Sequence, residues 1–146
     1  MRKGCQIREM TRADHEEVYG LWRQTEGLCV GDDDEASRIA LYLKRNPGLC
    51  FVAIAEGEIV GTVLCGHDGR RGILRHLAVK PDWRKQGIGC ALVKKTLAAL
   101  AQQGIKRCNL YVEDYNAGGF RFWEHLGWRR LKDNYRTLQT FTKLKP

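Results

Sequence analysis

No stretch of the chain approaches the roughly 18 consecutive apolar residues that a membrane-crossing helix requires, so no membrane partner is expected. The first residues, MRKGCQIREM, lack the apolar centre of a secretion signal, which makes the cytoplasm the expected compartment. There is no Cys-x-x-Cys. The six cysteines, at 5, 29, 50, 65, 90 and 108, are scattered singly, as reduced thiols packing like small hydrophobes would be. Cys65 and His67 form the one close Cys/His pair, and two ligands do not close a tetrahedron, so no metal is expected. Internal repeats and low-complexity tracts are also missing.

What is there is an ordinary globular composition. The chain has 146 residues, 43% hydrophobic and 29% charged, which suits one domain, 1–146, around one core. The formal charge is +8, from 25 cations and 17 anions. That balance favours an anionic partner: nucleic acid, an anionic membrane or a phosphorylated small molecule. A nucleic-acid binder should gather its cations into a stripe interleaved with aromatics. Here they are dispersed, with several around one loop, so nucleic acid is not the expected partner.

The hydrophobic pattern orders the elements. A short strand, CQIREM, precedes a helix, TRADHEEVYGLWRQTEG, with a capping-box-like Thr11 and Asp14 and an apolar stripe of Val18, Leu21 and Trp22. A second helix starts near Asp34, carries Ala36, Ile39, Ala40 and Leu43 on one face, and stops at NPG, 46–48. LCFVAIAE, nearly all apolar, reads as a strand covered on both faces. IVGTVLCGH and ILRHLAVK follow, joined by the hairpin signal DGRRG at 68–72. A helix runs from Gly87 to about Gln103, with Val93, Leu97, Leu100 and Ala101 toward the sheet. KRCNLYVE is a strand, NAGGFRFWEHLG a short helix, and WRRLKD and YRTLQTFTKL close the sheet, the last alternating at Leu138, Thr140, Thr142 and Leu144. The order β-α-α-β-β-β-α-β-α-β-β describes an α+β fold, an α/β sandwich whose mixed, largely antiparallel sheet is flanked by helices.

The segment VKPDWRKQGIGCALVKK joins a strand to a helix through Gly87 and Gly89. A helix N-terminus presents unpaired N–H groups and partial positive charge, glycines let an anion approach the backbone, and Arg84 and Lys85 add charge. The expected guest is a phosphate. The Walker pattern is absent, and the dinucleotide pattern G-x-G-x-x-[GA] fails at Leu92. What remains is R-x-x-G-x-G, Arg84 to Gly89, with Val79-x-Pro81 before it and an amphipathic helix after it.

LAVKPDWRKQGIGCALV resembles the acetyl-CoA signature of the GNAT superfamily of N-acetyltransferases, and NAGGFRFWEHLGW resembles its second signature, N-x-x-A-x-x-F-Y-x-x-x-G-F. The order of elements fits that superfamily from Gln6 to the end. The resemblance implies an acetyl-CoA-dependent N-acetyltransferase, with acetyl-CoA as cosubstrate, a primary amine of a small molecule or protein as acceptor, and a monomer or homodimer. It implies that Leu77, Ala78 and Val79 pair with the pantetheine arm through their backbone. Lys85, Gln86, Gly87, Ile88, Gly89 and Cys90 would cradle the pyrophosphate beside Arg84, and Asn116 would face the arm from the opposite wall. Seven residues after the asparagine the family usually has a tyrosine, the acid for the leaving thiolate. Here that position is Trp123, whose indole is no acid, and which reads as core or as a wall against the cofactor. Tyr115 and Tyr111 are alternative donors. Glu113, at the end of its strand, is a candidate base, as is His76 in mid-strand. Tyr115 and Glu113 are the catalytic pair expected here. Cys90 reads as a packing residue, the acidic GDDDE at 31–35 as a helix start rather than an amine lure, and Arg75 as a possible partner for an acceptor carboxylate. The other reading left by Trp123 is a module that holds acyl-CoA with little or no catalysis.

Overall fold

The computed structural model describes residues 4–113, 115–131 and 138–144, the last segment through its backbone. In chain order the elements are β1 (Gln6–Glu9), α1 (His15–Gln24), α2 (Ala36–Arg45), β2 (Phe51–Ala55), β3 (Glu58–His67), β4 (Gly72–Val79), α3 (Ile88–Gln102), β5 (Arg107–Glu113), α4 (Ala117–His125), β6 (Arg129–Arg130) and β7 (Leu138–Leu144). This is the expected order. Short 3-10 turns lead into α1 and precede α2 and α3.

The seven strands form one sheet in the order β1-β2-β3-β4-β5-β7-β6. All neighbours are antiparallel except β4 and β5, which are parallel. The crossover between those two is α3, as parallel pairing requires. β7 inserts between β5 and β6, with Leu138 opposite Glu113 and Leu144 opposite Arg107. Residues 132–137, including most of the expected link between the closing strands, lie outside the described residues.

The core lies on both faces of the sheet. α3 and α4 cover one side, where Leu49, Val60, Val63, Leu92, Leu100 and Leu110 are buried. α1 and α2 cover the other, over Val52, Ile59 and Leu64. Trp22 of α1 is fully buried there, as its stripe with Val18 and Leu21 predicts. The capping box at Thr11 is formed: the Thr11 N–H donates to Asp14 Oδ2 at 2.8 Å. Asp14 also receives both guanidinium nitrogens of Arg8 at 2.8 Å, tying β1 to the start of α1.

Two helix faces differ from expectation. α3 buries Ile88, Leu92, Val93, Thr96 and Leu100, so its stripe is rotated away from Leu97 and Ala101. The rotation follows from close contact with the sheet at Gly61: a Cβ there would stand 3.1 Å from both Ile88 and Leu92. Thr96 hides its hydroxyl by donating to the Leu49 carbonyl at 3.3 Å. α2 buries only Ile39, and Ala36 stays exposed. The helix rests on α1 and on the turns that precede α1 and α2, and its other faces are left to solvent.

Candidate active site

β4 is bent in its middle. Thr62 pairs with Ala78 and Leu64 with Arg75, so one β4 residue is extra across that span. Such a bulge twists a strand away from its neighbour. On the far side, β4 and β5 share only two positions, Gly72 with Cys108 and Ile73 with Asn109. Beyond them the strands splay, and among the described residues the edge of β4 from Leu74 onward has no strand partner on that side.

His76 sits in the bulge with φ +49°, a conformation that costs a non-glycine residue about 1–2 kcal/mol. A buried network holds it there. Its Nε2 lies 2.7 Å from Asp34 Oδ1. Its carbonyl accepts the Thr62 hydroxyl at 3.0 Å, Thr62 in turn accepts the Trp22 indole N–H at 2.9 Å, and the Trp22 ring meets the imidazole edge-on at 4.8 Å. Asp34 is itself buried, and its other oxygen accepts the Gly31 N–H at 3.0 Å. GDDDE is therefore a capped turn, but a turn whose carboxylate orients a histidine. A carboxylate only accepts, so Nε2 carries a hydrogen toward Asp34.

A cleft of about 650 Å³ runs along the end of β4 to the N-terminus of α3. Leu77, Ala78, Val79, Arg84, Lys85, Gly87, Ile88, Gly89, Cys90, Asn116 and Trp123 all line it, as does Tyr115. The structure thus brings together nearly every residue picked from the two motifs. Gly87 caps α3 at φ +84°, and Lys85 before it also has a positive φ of 60°. The first helical bond runs from Ala91 N to Gly87 O at 3.0 Å. The N–H groups of Ile88, Gly89 and Cys90 therefore have no partner within the helix. Gly89 faces Phe122 of α4, whose ring would stand 3.4 Å from a Cβ placed there.

Details depart from the simple reading. Gln86 does not line the cleft: its Nε2 donates to the Asp82 carbonyl at 3.2 Å, and its Oε1 is buried without a partner. The side chains of Ile88 and Ala78 are buried in the two cores, which leaves only their backbone for a ligand. The Val79 carbonyl accepts Arg84 Nε at 2.9 Å. Asn116 caps α4, accepting the Gly119 N–H at 2.9 Å. Trp123 is buried, edge-on to both Phe122 and Trp128, and forms a wall of the cleft.

A second cavity, of about 290 Å³, fills the splay between β4 and β5. Glu113 lines it with His76, Arg75 and Tyr111, and the Cys29 thiol lies 3.7 Å from Glu113 Oε1. Tyr115 lines the larger cleft rather than this cavity and is 69% exposed. Partial desolvation, with Cys29 and Glu113 nearby, pushes its phenol above the ordinary range, so it keeps its proton at neutral pH. Sequence reasoning missed Thr25, Glu26 and Gly27, which line both cavities. Gly27 reads only as a helix stop in sequence. Trp83 and Phe122, also on the cleft, lie inside the two motifs, Phe122 at the aromatic position just before Trp123, yet sequence reasoning singled out neither as a site residue.

The family model of the GNAT acetyltransferases matches residues 8–128. An acetyltransferase of Sodalis glossinidius is 36% identical over 121 residues, covering 83% of this chain and 84% of that protein. One of Pectobacterium atrosepticum is likewise 36% identical, over 83% of this chain and 85% of its own. The solved PaiA N-acetyltransferase of Thermoplasma acidophilum, in complex with coenzyme A, superposes with a TM-score of 0.85 at 20% identity, covering 96% and 98% of the two chains. This chain belongs to the GNAT family of acetyltransferases, and its fold is the GNAT fold.

Proposed function

We propose that the protein moves the acetyl group of acetyl-CoA to a primary amine by direct attack, with the splay between β4 and β5 as the reaction site. One observation carries this reading. The N–H groups of Ile88, Gly89 and Cys90, which among the described residues have no backbone partner, belong to residues lining a cleft that runs along a bare strand edge toward the splay. A diphosphate suits those N–H groups and the charge of Arg84 and Lys85. An amide-bearing arm suits the bare edge of β4, where Leu77 to Val79 offer backbone groups. Bound acetyl-CoA supplies an activated thioester.

The chain's residues would do the rest. An amine with a pKa of about 10 is protonated at neutral pH and must lose a proton to attack. Glu113 takes that proton in our assignment. The amine nitrogen then bonds to the acetyl carbon, and the carbon–sulfur bond breaks. A thiol pKa of about 8.5 makes thiolate a tolerable leaving group without an acid. Tyr115, protonated at the cleft mouth, is the donor we assign to it, since Trp123 is no acid. Trp123 packs the wall instead.

The burial of Trp123 also favours the second reading, a module that binds acyl-CoA with little turnover. Acetyl transfer to a panel of amines, followed by mass spectrometry, separates the two. Glu113→Gln should lower kcat at least about a hundredfold, in line with general-base contributions, while leaving acetyl-CoA affinity unchanged. Binding of acetyl-CoA with no amine acetylated would favour the module.

A further inference from the structure

Arg38 and Arg45 of α2 and Arg75 of β4 line a third cavity, of about 540 Å³. Arg38 and Arg45, seven residues apart, share a face of α2. Among the described residues none of the three makes an ion pair. Arg75 lies 6.0 Å from the centroid of the Tyr111 ring, a contact that neutralises nothing. Two carboxylates reach the same cavity. Asp34 is engaged by His76 and the Gly31 N–H, and Asp33 is exposed. The cations therefore outnumber the acids.

This cavity adjoins the proposed reaction site. Cys29, Arg75 and His76 line both it and the cavity in the splay. The splay shares Thr25, Glu26, Gly27, Asn116 and Trp123 with the cofactor cleft. The three spaces adjoin in a row, and the charge of their linings changes sign along it. Lys85 and Arg84 stand at the cofactor end, Glu26 and Glu113 in the middle, and the three arginines at the far end. A guanidinium presents a planar fork that matches a carboxylate or phosphate. The volume is that of a small-molecule site.

We infer that the acceptor is a small amine that also carries an acid group, carboxylate or phosphate. Its ammonium end meets the carboxylates of the splay, and its acid end lies on Arg38, Arg45 and Arg75. Polyamines and other purely cationic amines meet repulsion in this cavity. The inference rests on the acetyl-transfer reading above.

The test uses matched amines with acetyl-CoA: glycine against glycinamide, glutamate against its diamide, and phosphoethanolamine against ethanolamine. The first two pairs read a carboxylate and the third a phosphate. The acid member of at least one pair should be acetylated with kcat/KM at least about tenfold above its neutral partner. Arg38→Gln, Arg45→Gln and Arg75→Gln, each at an exposed position, should reduce that preference through KM. Calorimetric affinity for acetyl-CoA should not change in them. Saturation-transfer NMR of the CoA-loaded protein with the same pairs gives a readout independent of turnover. Equal or reversed preference in both experiments would overturn the inference, as would preference unmoved in all three variants or binding of no member of any pair. Loss of acetyl-CoA binding by the wild-type protein would instead overturn the cofactor reading.

Discussion

Thr62 is a buried hydroxyl with two obligations: it accepts from Trp22 and donates to the carbonyl of His76. Thr62→Val keeps the shape and removes both bonds. It should cost about 1–3 kcal/mol, because a buried donor is left unpaired, and urea unfolding would measure it. No change in the midpoint would mean that the network does not hold the bulge. Gly87 is the residue where conformation and function meet. Any side chain there is strained at φ +84°, and a carboxylate would stand where a phosphate is proposed. Gly87→Ala should lower stability by about 1 kcal/mol yet still bind acetyl-CoA, whereas Gly87→Glu should fold and bind none. Asp14 sets a pH dependence. The Arg8 guanidinium, with help from the Thr11 N–H and against some burial, holds its carboxyl below the usual range. A depressed folded pKa gives stability that is present above the unfolded value of about 3.9 and lost as pH falls through the folded one. Asp14→Asn should therefore be less stable than the wild type at neutral pH, with the gap closing in acid below about pH 4. A gap that is constant with pH would contradict this.

The elements were largely legible in sequence because each rests on a local rule. Val18, Leu21 and Trp22 fall on one helical face, DGRRG can only turn, and Gly87 and Gly89 mark a strand-to-helix junction. The bulge in β4 was not legible. ILRHLAVK alternates no differently from a plain strand, and a histidine at positive φ leaves no pattern. It is fixed by Asp34, 42 residues away, through a contact that only the fold creates. The seat of α3 was hidden for the same reason, since it depends on Gly61 of β3. The motif residues of the cleft were found because they are contiguous, while Thr25 to Gly27 reach it only through the packing of α1. A direct consequence concerns Gly61→Val. The added atoms would press on Ile88 and Leu92, both fully buried, and should cost about 1–3 kcal/mol. The same push moves the first turn of α3, so acetyl-CoA affinity should fall as well. Lost stability with unchanged affinity would separate the seat of α3 from the site.

Across the whole molecule, reactivity is segregated from the core. Cys5, Cys50, Cys65 and Cys108 are buried, Cys90 is partly covered in the cleft, and Cys29 is exposed at the splay. Burial pushes the Cys50 thiol up to about 12, and a hydrogen bond with Cys108, with burial, raises that of Cys65. A thiol reagent should therefore modify Cys29 and Cys90 in the native protein and the other four only on unfolding, as peptide mapping would show. Acetyl-CoA should slow labelling of Cys90. Fast labelling of Cys50 or Cys65 in the folded state would contradict the packing described here. Charge is divided as well where function is proposed: Arg84 and Lys85 line the cofactor cleft, and Arg38, Arg45 and Arg75 line the far cavity. The central claim is that the cleft along the end of β4 and the start of α3 holds acetyl-CoA. Calorimetric titration with acetyl-CoA, with CoA and ATP as controls, tests it without knowledge of the acceptor. The account predicts saturable micromolar binding of acetyl-CoA and of CoA, and weaker binding of ATP, which lacks the pantetheine arm. A folded sample that gives no heat with acetyl-CoA at millimolar concentration would contradict it.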